Sequence, residues 1–434
     1  MNLFKGGTEG YAREAVGLSA TAECRARIFP IDCSRRSVHR SDFRLMLKSL
    51  LPLSAALALV FFTPLHAEPT PTAVDAVLAR SLVSLGDTSR LAQAFSKAKR
   101  GGKFVVGVIG GSITQGAKAT TPDHRYAGHV ARWWRETFPA AEVTLVNAGI
   151  GATGSNYGAL RVQRDLLAAQ PDFVIVEYAC NDANIPNSAE TLEGLVRQIL
   201  PQPQAPAVML LFMTKRTGGN TQEQHAKIGT HYHLPMASFR DGLWPAVKAG
   251  ELKMDDFLAD EVHPNDFGHR VAAQCVTHLL SAAQSASPNA VRTDPLPAPL
   301  ISADYAHTTL QEAADLKPVA NQGWSYRADL KAWHADAPGS SLELSVQGRS
   351  VLFMSHVIRG AMGRASVQVD DQPAKIIDGW FSGTWGGYRS TTVLAEGLAP
   401  EKAHRIKVTL LEEKNAESTD HGFSIYGLGA AGVP

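Results

Sequence analysis

Short apolar runs separated by amphipathic segments constrain the fold of this chain more than any other feature of its sequence. The runs are Phe104-Val-Val-Gly-Val-Ile109, Asp172-Phe-Val-Ile-Val-Glu-Tyr178 and Ala207 to Met213. Runs of this length with no polar alternation belong to strands buried on both faces, as in a parallel sheet covered by helices. Arg125 to Phe138, Tyr157 to Ala169, Ala189 to Leu200, Thr221 to His231 and Asn265 to Ala283 have helical spacing. Glu142 to Val146 and Leu234 to Phe239 read as further strands, and Thr72 to Arg100 reads as helical. Strands alternating with helices predict a layered α/β/α domain with a parallel sheet over residues 68–285.

The first run breaks at Gly110-Gly111, and Ser112 follows. The break lifts Ser112 above the end of a central strand, where open α/β sheets place their ligands. Ser112 reads as a nucleophile, as part of an anion cradle, or as a solvated serine in a glycine-rich turn. The loop lacks the Gly-Lys-Ser/Thr ending of a phosphate-binding loop. Two later loops follow predicted strands. Asn147-Ala-Gly-Ile-Gly-Ala-Thr-Gly-Ser155 turns tightly and presents backbone N–H groups. Asn181-Asp182 is either a plain turn or an amide donor aimed at developing negative charge. Ahead of the last helix stands Asp260-Glu-Val-His-Pro264. An Asp-x-x-His turn brings a base to a nucleophile while the carboxylate holds the other ring nitrogen. The other readings of His263 are a surface histidine or half of a metal site. For a metal, His225, His231 and His233 are available by composition only.

Taken in order, these pieces resemble the SGNH (GDSL-like) hydrolase family, over about residues 103 to 283. The resemblance implies a three-layer α/β/α fold and two-step acyl transfer without metal or organic cofactor. It implies Ser112 as nucleophile, His263 as general base and Asp260 as its orienting carboxylate. It also implies an oxyanion hole from the N–H of Ser112, the Gly151-Ala152 step and the side chain of Asn181. The chain departs from the family pattern in reading Gly-Gly-Ser rather than Gly-Asp-Ser. It also has Ala152 where spacing from Asn147 places the oxyanion glycine. A backbone N–H survives that change unless the position needs φ > 0. Ala179-Cys180 stands before Asn181 where many members have glycine.

Beyond Ser285 the pattern changes. Residues 286–300 are rich in proline and read as a semi-rigid linker or a strap over the surface. Leu342 to Gln347, Ser350 to His356, Ala365 to Val369, Thr391 to Leu394, His404 to Leu411 and Gly422 to Leu428 read as short strands. They predict an all-β sandwich over residues 301–434. The ending of this segment resembles the jelly-roll domains that accompany some carbohydrate esterases. Trp380, Phe381, Trp385 and Tyr388 cluster in a glycine-rich stretch. Trp380, Trp385 and Tyr388 are candidates for stacking on sugar rings, and packing in the core or between domains is the competing reading. Trp324 and Trp333 are equally ambiguous.

At the N-terminus, Met46 to Ala67 has a basic start, an apolar stretch interrupted by Pro52 and Pro64, and a small residue before a polar run. That is the layout of a secretory signal peptide, which predicts a periplasmic or secreted protein, and Met46 reads as the true start. An uncleaved membrane anchor is the competing reading. Cys24 and Cys33 precede this segment, leaving Cys180 and Cys275 either to bridge or to stay as separate buried thiols. The net charge of +1 gives no electrostatic case for nucleic acid. The sequence therefore points to an exported ester hydrolase acting on O-acetyl groups of a polysaccharide. A periplasmic lipase, arylesterase or thioesterase is the alternative within enzymes. A sugar-binding protein with a degenerate hydrolase domain is the alternative outside them.

Overall fold

The computed structural model describes residues 68–286 and 295–434. The expectations for the leader, including Met46 to Ala67, Cys24 and Cys33, lie outside the described residues. From the N-terminal side the elements are α1 (Pro71–Ser81), β1 (Leu82–Ser84), α2 (Ser89–Arg100), β2 (Gly102–Gly110), a short α3 (Ser112–Gln115), α4 (Tyr126–Thr137) and β3 (Ala141–Gly149). Then come α5 (Ser155–Asp165), β4 (Phe173–Glu177), α6 (Pro186–Ile199), β5 (Ala207–Phe212), α7 (Gln222–His231), β6 (Met236–Ser238), α8 (Phe239–Lys248) and α9 (Asp266–Ser285). The strand order is β1-β6-β5-β4-β2-β3. Strands β2 to β6 pair in parallel. Every residue of β4 and β5 is buried, as their unbroken apolar runs require. One core lies on each face of the sheet. Trp134, Phe104, Phe239 and Leu279 belong to the first, and Leu160, Leu195, Phe212 and Ile109 to the second.

The stretch Thr72 to Arg100, expected to be helical throughout, is interrupted by a strand. The segment is two helices with β1 between them, and β1 pairs antiparallel with β6 at the sheet edge. The sheet is therefore mixed rather than all parallel. Leu82 and Leu85 pack against the first core, so the apolar spacing runs on across the break. The turn itself needs Gly86, which has φ +54, and a Cβ there would lie 2.4 Å from the carbonyl of His233. Helix α8, interrupted in sequence by Pro245, was also not apparent from spacing.

The C-terminal strands are β7 (Thr308–Glu312), β8 (Ala320–Gln322), β9 (Ser325–Arg327), β10 (Ala332–Ala335), β11 (Ser341–Gln347) and β12 (Ser350–Val357). They continue with β13 (Arg364–Val369), β14 (Lys375–Asp378), β15 (Tyr388–Ala395), β16 (Ala403–Leu410) and β17 (Phe423–Ala431). They form two antiparallel sheets, β15-β12-β17-β10-β9 with β7 also on β17, and β14-β13-β16-β11-β8. Strand β12 shows how the layers stack. Val351 and Phe353 point into the core between the two sheets, whereas Leu352 and Met354 join the second core of the α/β layers. The outer face of the first sheet thus packs on α5. A Cβ on Gly429 of β17 would sit 2.3 Å from Leu160 Cδ1, so glycine there allows that approach.

A polar tie completes the contact. Arg389 Nη1 donates to the hydroxyl of Tyr157 and to Glu312 Oε2, each at 2.7 Å, and Arg164 Nη1 donates to Glu312 Oε1 at 2.9 Å. The described end of the proline-rich segment lies against α6 and α7. Pro297 and Ala298 offer their carbonyls to Arg197 and His231. The N–H groups of Leu300, Ile301 and Ser302 donate to Glu193.

Candidate active site

Strand β2 ends at Gly110, and Ser112 opens α3 immediately above the sheet edge. As the first residue of that turn, its N–H is among the donors a helix leaves unpaired. The two glycines before it serve close packing. A Cβ on Gly110 would meet Thr114 Oγ1 at 2.1 Å, and one on Gly111 would meet Asn181 Oδ1 at 2.1 Å. Thr114 Oγ1 donates to Glu177 Oε2 at 2.9 Å and lies 2.8 Å from the Tyr126 hydroxyl, while Asn147 Nδ2 donates to the Thr114 carbonyl at 2.7 Å. The turn that carries Ser112 is thereby fixed from both sides.

Ser112 Oγ lies 2.8 Å from His263 Nε2. His263 Nδ1 lies 2.9 Å from Asp260 Oδ2 and 3.0 Å from Oδ1. Oδ1 also accepts from the backbone N–H of Val262 at 3.0 Å and of His263 at 2.8 Å. Burial pushes the Asp260 carboxyl up, but the Val262 N–H, the His263 ring and the His263 N–H outweigh it and hold the carboxyl at about 2. Asp260 therefore stays ionised and fixes Nδ1 as the protonated nitrogen, leaving Nε2 free to accept from serine. Arg216, on the loop after β5, holds this turn. Its N–H donates to the Glu261 carbonyl at 2.8 Å, its Nη2 to the Asp260 carbonyl at 3.2 Å, and its Nη1 pairs with Asp255.

Gly151, Ala152 and Asn181 face the same edge from the loops after β3 and β4. A Cβ on Gly151 would lie 3.8 Å from Ser112 Cβ. Among the described residues, the N–H groups of Gly151 and Ala152 and the Nδ2 of Asn181 are given to no protein acceptor. Asn181 Oδ1 is buried with no hydrogen-bond partner among the described residues. Ala152 has φ +55, so this position does adopt the left-handed region that favours glycine, and the alanine bears that strain.

Several residues that bear on the site were not apparent from sequence. Glu177, at the end of β4, is fully buried, and burial pushes its carboxyl up to about 7 despite the hydrogen bond from Thr114, with the charge of Asp182 adding to the rise. An acidic residue closing an otherwise apolar run was the available signal. Cys180 and Cys275 are free and buried, so the two do not bridge. Burial drives both thiols up, Cys275 to about 12. His225 is buried behind Asp182, whereas His231 bonds the Ala298 carbonyl. Among the described residues no group of three or more His, Cys, Asp or Glu is placed to hold a metal. Nor is any described helix long and apolar enough to cross a membrane.

A cleft of about 740 Å³ opens beside these loops. One wall is Ala152, Asn181, Asp182 and Asn187; the other is Lys375, Tyr388, Arg389 and Glu396 from the β-sandwich. Trp385, 62% exposed, stacks on Tyr388 with ring centroids 5.3 Å apart. Trp380 lies instead in an adjoining groove with Phe381, and Tyr388 lines both. Trp324 is buried in the core between the sheets, and Trp333 donates its Nε1–H to the Ala313 carbonyl at 2.9 Å.

A mostly parallel sheet with a serine, an imidazole and a carboxylate in hydrogen-bonded sequence at its C-terminal edge is an arrangement suited to acyl transfer. The GDSL-like lipase/acylhydrolase family matches residues 108–271. Among solved structures, the chain is similar to a two-domain esterase (CEX) active on acetylated mannans. Identity is 30%, the TM-score is 0.75, and the match covers 82% of this chain and 99% of that one. The structure of that esterase co-crystallised with mannopentaose matches at the same identity and TM-score, covering 98% of its chain. None of the curated proteins compared matches the sequence. The chain belongs to the GDSL-like (SGNH) acylhydrolase family, and it is a carboxylic ester hydrolase.

Proposed function

We propose that the protein is an exported carbohydrate O-acetylesterase that removes acetyl groups from a polysaccharide by a Ser-His-Asp acyl-enzyme mechanism. The observation that carries this reading is the line from Ser112 Oγ through His263 to Asp260, set beside a cleft with polar residues on both walls. His263 Nε2 takes the Ser112 proton as Oγ attacks the acetyl carbonyl, and Asp260 stabilises the imidazolium that forms. The N–H groups of Ser112 and of the Gly151-Ala152 step, with Asn181 Nδ2, donate to the oxyanion. Each such donor is typically worth about 3 kcal/mol. The imidazolium then protonates the departing sugar oxygen, which leaves as a free hydroxyl. In the second half, His263 takes a proton from water, the hydroxyl attacks the acetyl-serine, and acetate leaves as Ser112 regains its proton.

The β-sandwich wall supplies the sugar-facing groups. Tyr388, backed by Trp385, offers a ring for stacking, and Lys375 and Glu396 offer polar contacts, with Asn187 facing them from the opposite wall. Trp380, in the adjoining groove, fits a more distant contact with the same polymer. The esterase on acetylated mannans that this chain resembles makes acetylated mannan the first polymer to try. Export follows from the signal-like segment Met46 to Ala67. The test compares p-nitrophenyl acetate with p-nitrophenyl octanoate and a panel of acetylated polysaccharides. Acetate release from polymer with little octanoate cleavage is the expected result. A preference for octanoate moves the function to lipid or aryl esters.

A further inference from the structure

Asp182 follows the proposed oxyanion donor Asn181 but turns away from it into the protein. Its side chain is 2% exposed. Its Oδ1 accepts from the N–H of Ser155 at 2.8 Å, and Ser155 closes the loop that carries Gly151 and Ala152. A Cβ on Gly154 would sit 2.7 Å from the same oxygen, so the loop lies close against the carboxylate. Its Oδ2 faces His225 Nε2 of α7 at 3.1 Å, and that nitrogen is also 3.1 Å from Thr221 Oγ1. Among the described residues, Oδ2 has no hydrogen-bond partner beyond this ion-pair contact. Thr221 grips the same strand end, donating from its N–H at 2.9 Å and its Oγ1 at 3.1 Å to the Ala179 carbonyl.

We infer that Asp182 is a positioning residue for the reaction: it locks the loop of Ala152 to the loop of Asn181, so that donors from two different strands converge on one oxyanion. The inference rests on the acyl-transfer reading above. Two loops after two strands have no covalent reason to keep a fixed spacing. Inward misplacement of a donor by about 1 Å costs on the order of 10²-fold in rate. A buried carboxylate that accepts from one loop while belonging to the other supplies the missing constraint. His225 and Thr221 brace it from behind.

The test is a double-mutant cycle on p-nitrophenyl acetate, with folding checked by thermal melting and wild type and Ser112→Ala run alongside. Asp182→Ala lowers kcat by about tenfold or more with KM within about twofold. Asp182→Asn keeps an acceptor for the Ser155 N–H and holds kcat within about threefold of wild type. In an Asn181→Ala background, Asp182→Ala costs no more than about threefold, because one of the two donors it aligns is already gone. Unchanged kcat in Asp182→Ala, or a full tenfold loss in both backgrounds, overturns the inference. If Asp182→Ala does not fold, His225→Ala is read instead, with a fall in kcat of at least threefold expected and an unchanged kcat overturning it. Turnover that persists in Ser112→Ala refutes the catalytic reading itself, which separates the two failures.

Discussion

Ser112 Oγ and His263 Nε2 are 2.8 Å apart although 151 residues separate them in sequence. The sheet accounts for the approach. Ser112 rises from the end of β2, the strand between β4 and β3 in the sheet, and the Asp260–His263 turn is held over the same edge by Arg216 from the loop after β5. Local turns set each side chain, the Gly110-Gly111 turn for Ser112 and the Asp260–His263 turn for the imidazole, and the buried strands bring the two turns together.

Asp260 keeps one imidazole nitrogen protonated. Asp260→Asn removes the charge while leaving the size of the side chain, and an amide can present the wrong partner to Nδ1. We expect kcat on p-nitrophenyl acetate to fall by roughly 10³-fold or more with little change in melting temperature. Activity within about tenfold of wild type would remove Asp260 from the mechanism.

Glu177 links the site to stability. Its ordinary value is 4.5 and its value in the fold is about 7. Between those limits the folded chain holds a proton that the unfolded chain has released. Stability therefore falls as pH rises from about 4.5 to about 7, by about 3 kcal/mol. Glu177→Gln keeps an acceptor for Thr114 and cannot ionise. Urea midpoints at pH 5 and pH 8 should show the variant losing this component of the pH dependence and exceeding wild type at pH 8. Parallel pH profiles for the two proteins would count against it.

Ala152 occupies φ +55. Ala152→Gly keeps the N–H and relieves the left-handed strain, partly offset by the entropy of glycine in the unfolded chain. The expected gain is about 1 kcal/mol, read by denaturant unfolding, with kcat on p-nitrophenyl acetate within about threefold of wild type. A loss of stability would mean that the alanine methyl makes contacts worth more than the strain.

Tyr388 and Trp385 are predicted to act on polymer and not on small esters. Each aromatic contact is worth about 0.5–1.5 kcal/mol, which is roughly a two- to tenfold rise in KM per ring removed. Tyr388→Ala and Trp385→Ala should show that rise on acetylated polysaccharide and leave p-nitrophenyl acetate unchanged. Equal effects on both substrates would assign the rings to packing.

The sheet strands were legible in the sequence because β4 and β5 are apolar throughout and buried throughout. Ser112, Asn181 and the Asp260–His263 turn stood out because each follows a strand or precedes the closing helix. Other features were not legible. Strand β1 hid inside a helical apolar spacing, since Leu82 and Leu85 serve the same core as the helices around them. The unbroken apolar run Val351 to Met354 in β12 gave no sign that alternate residues serve two different cores. The role of Asp182 depends on which backbone N–H its carboxylate meets, and Asn-Asp is an ordinary turn by composition.

Acetate release from acetylated mannan by wild-type protein and by Ser112→Ala is the most direct test of the account. We predict that wild type releases acetate and that Ser112→Ala loses at least about 10³-fold of that rate while remaining folded. Comparable release by the two proteins would contradict the assignment of Ser112 as nucleophile, and no release by wild type from any acetylated polysaccharide would contradict the proposed substrate.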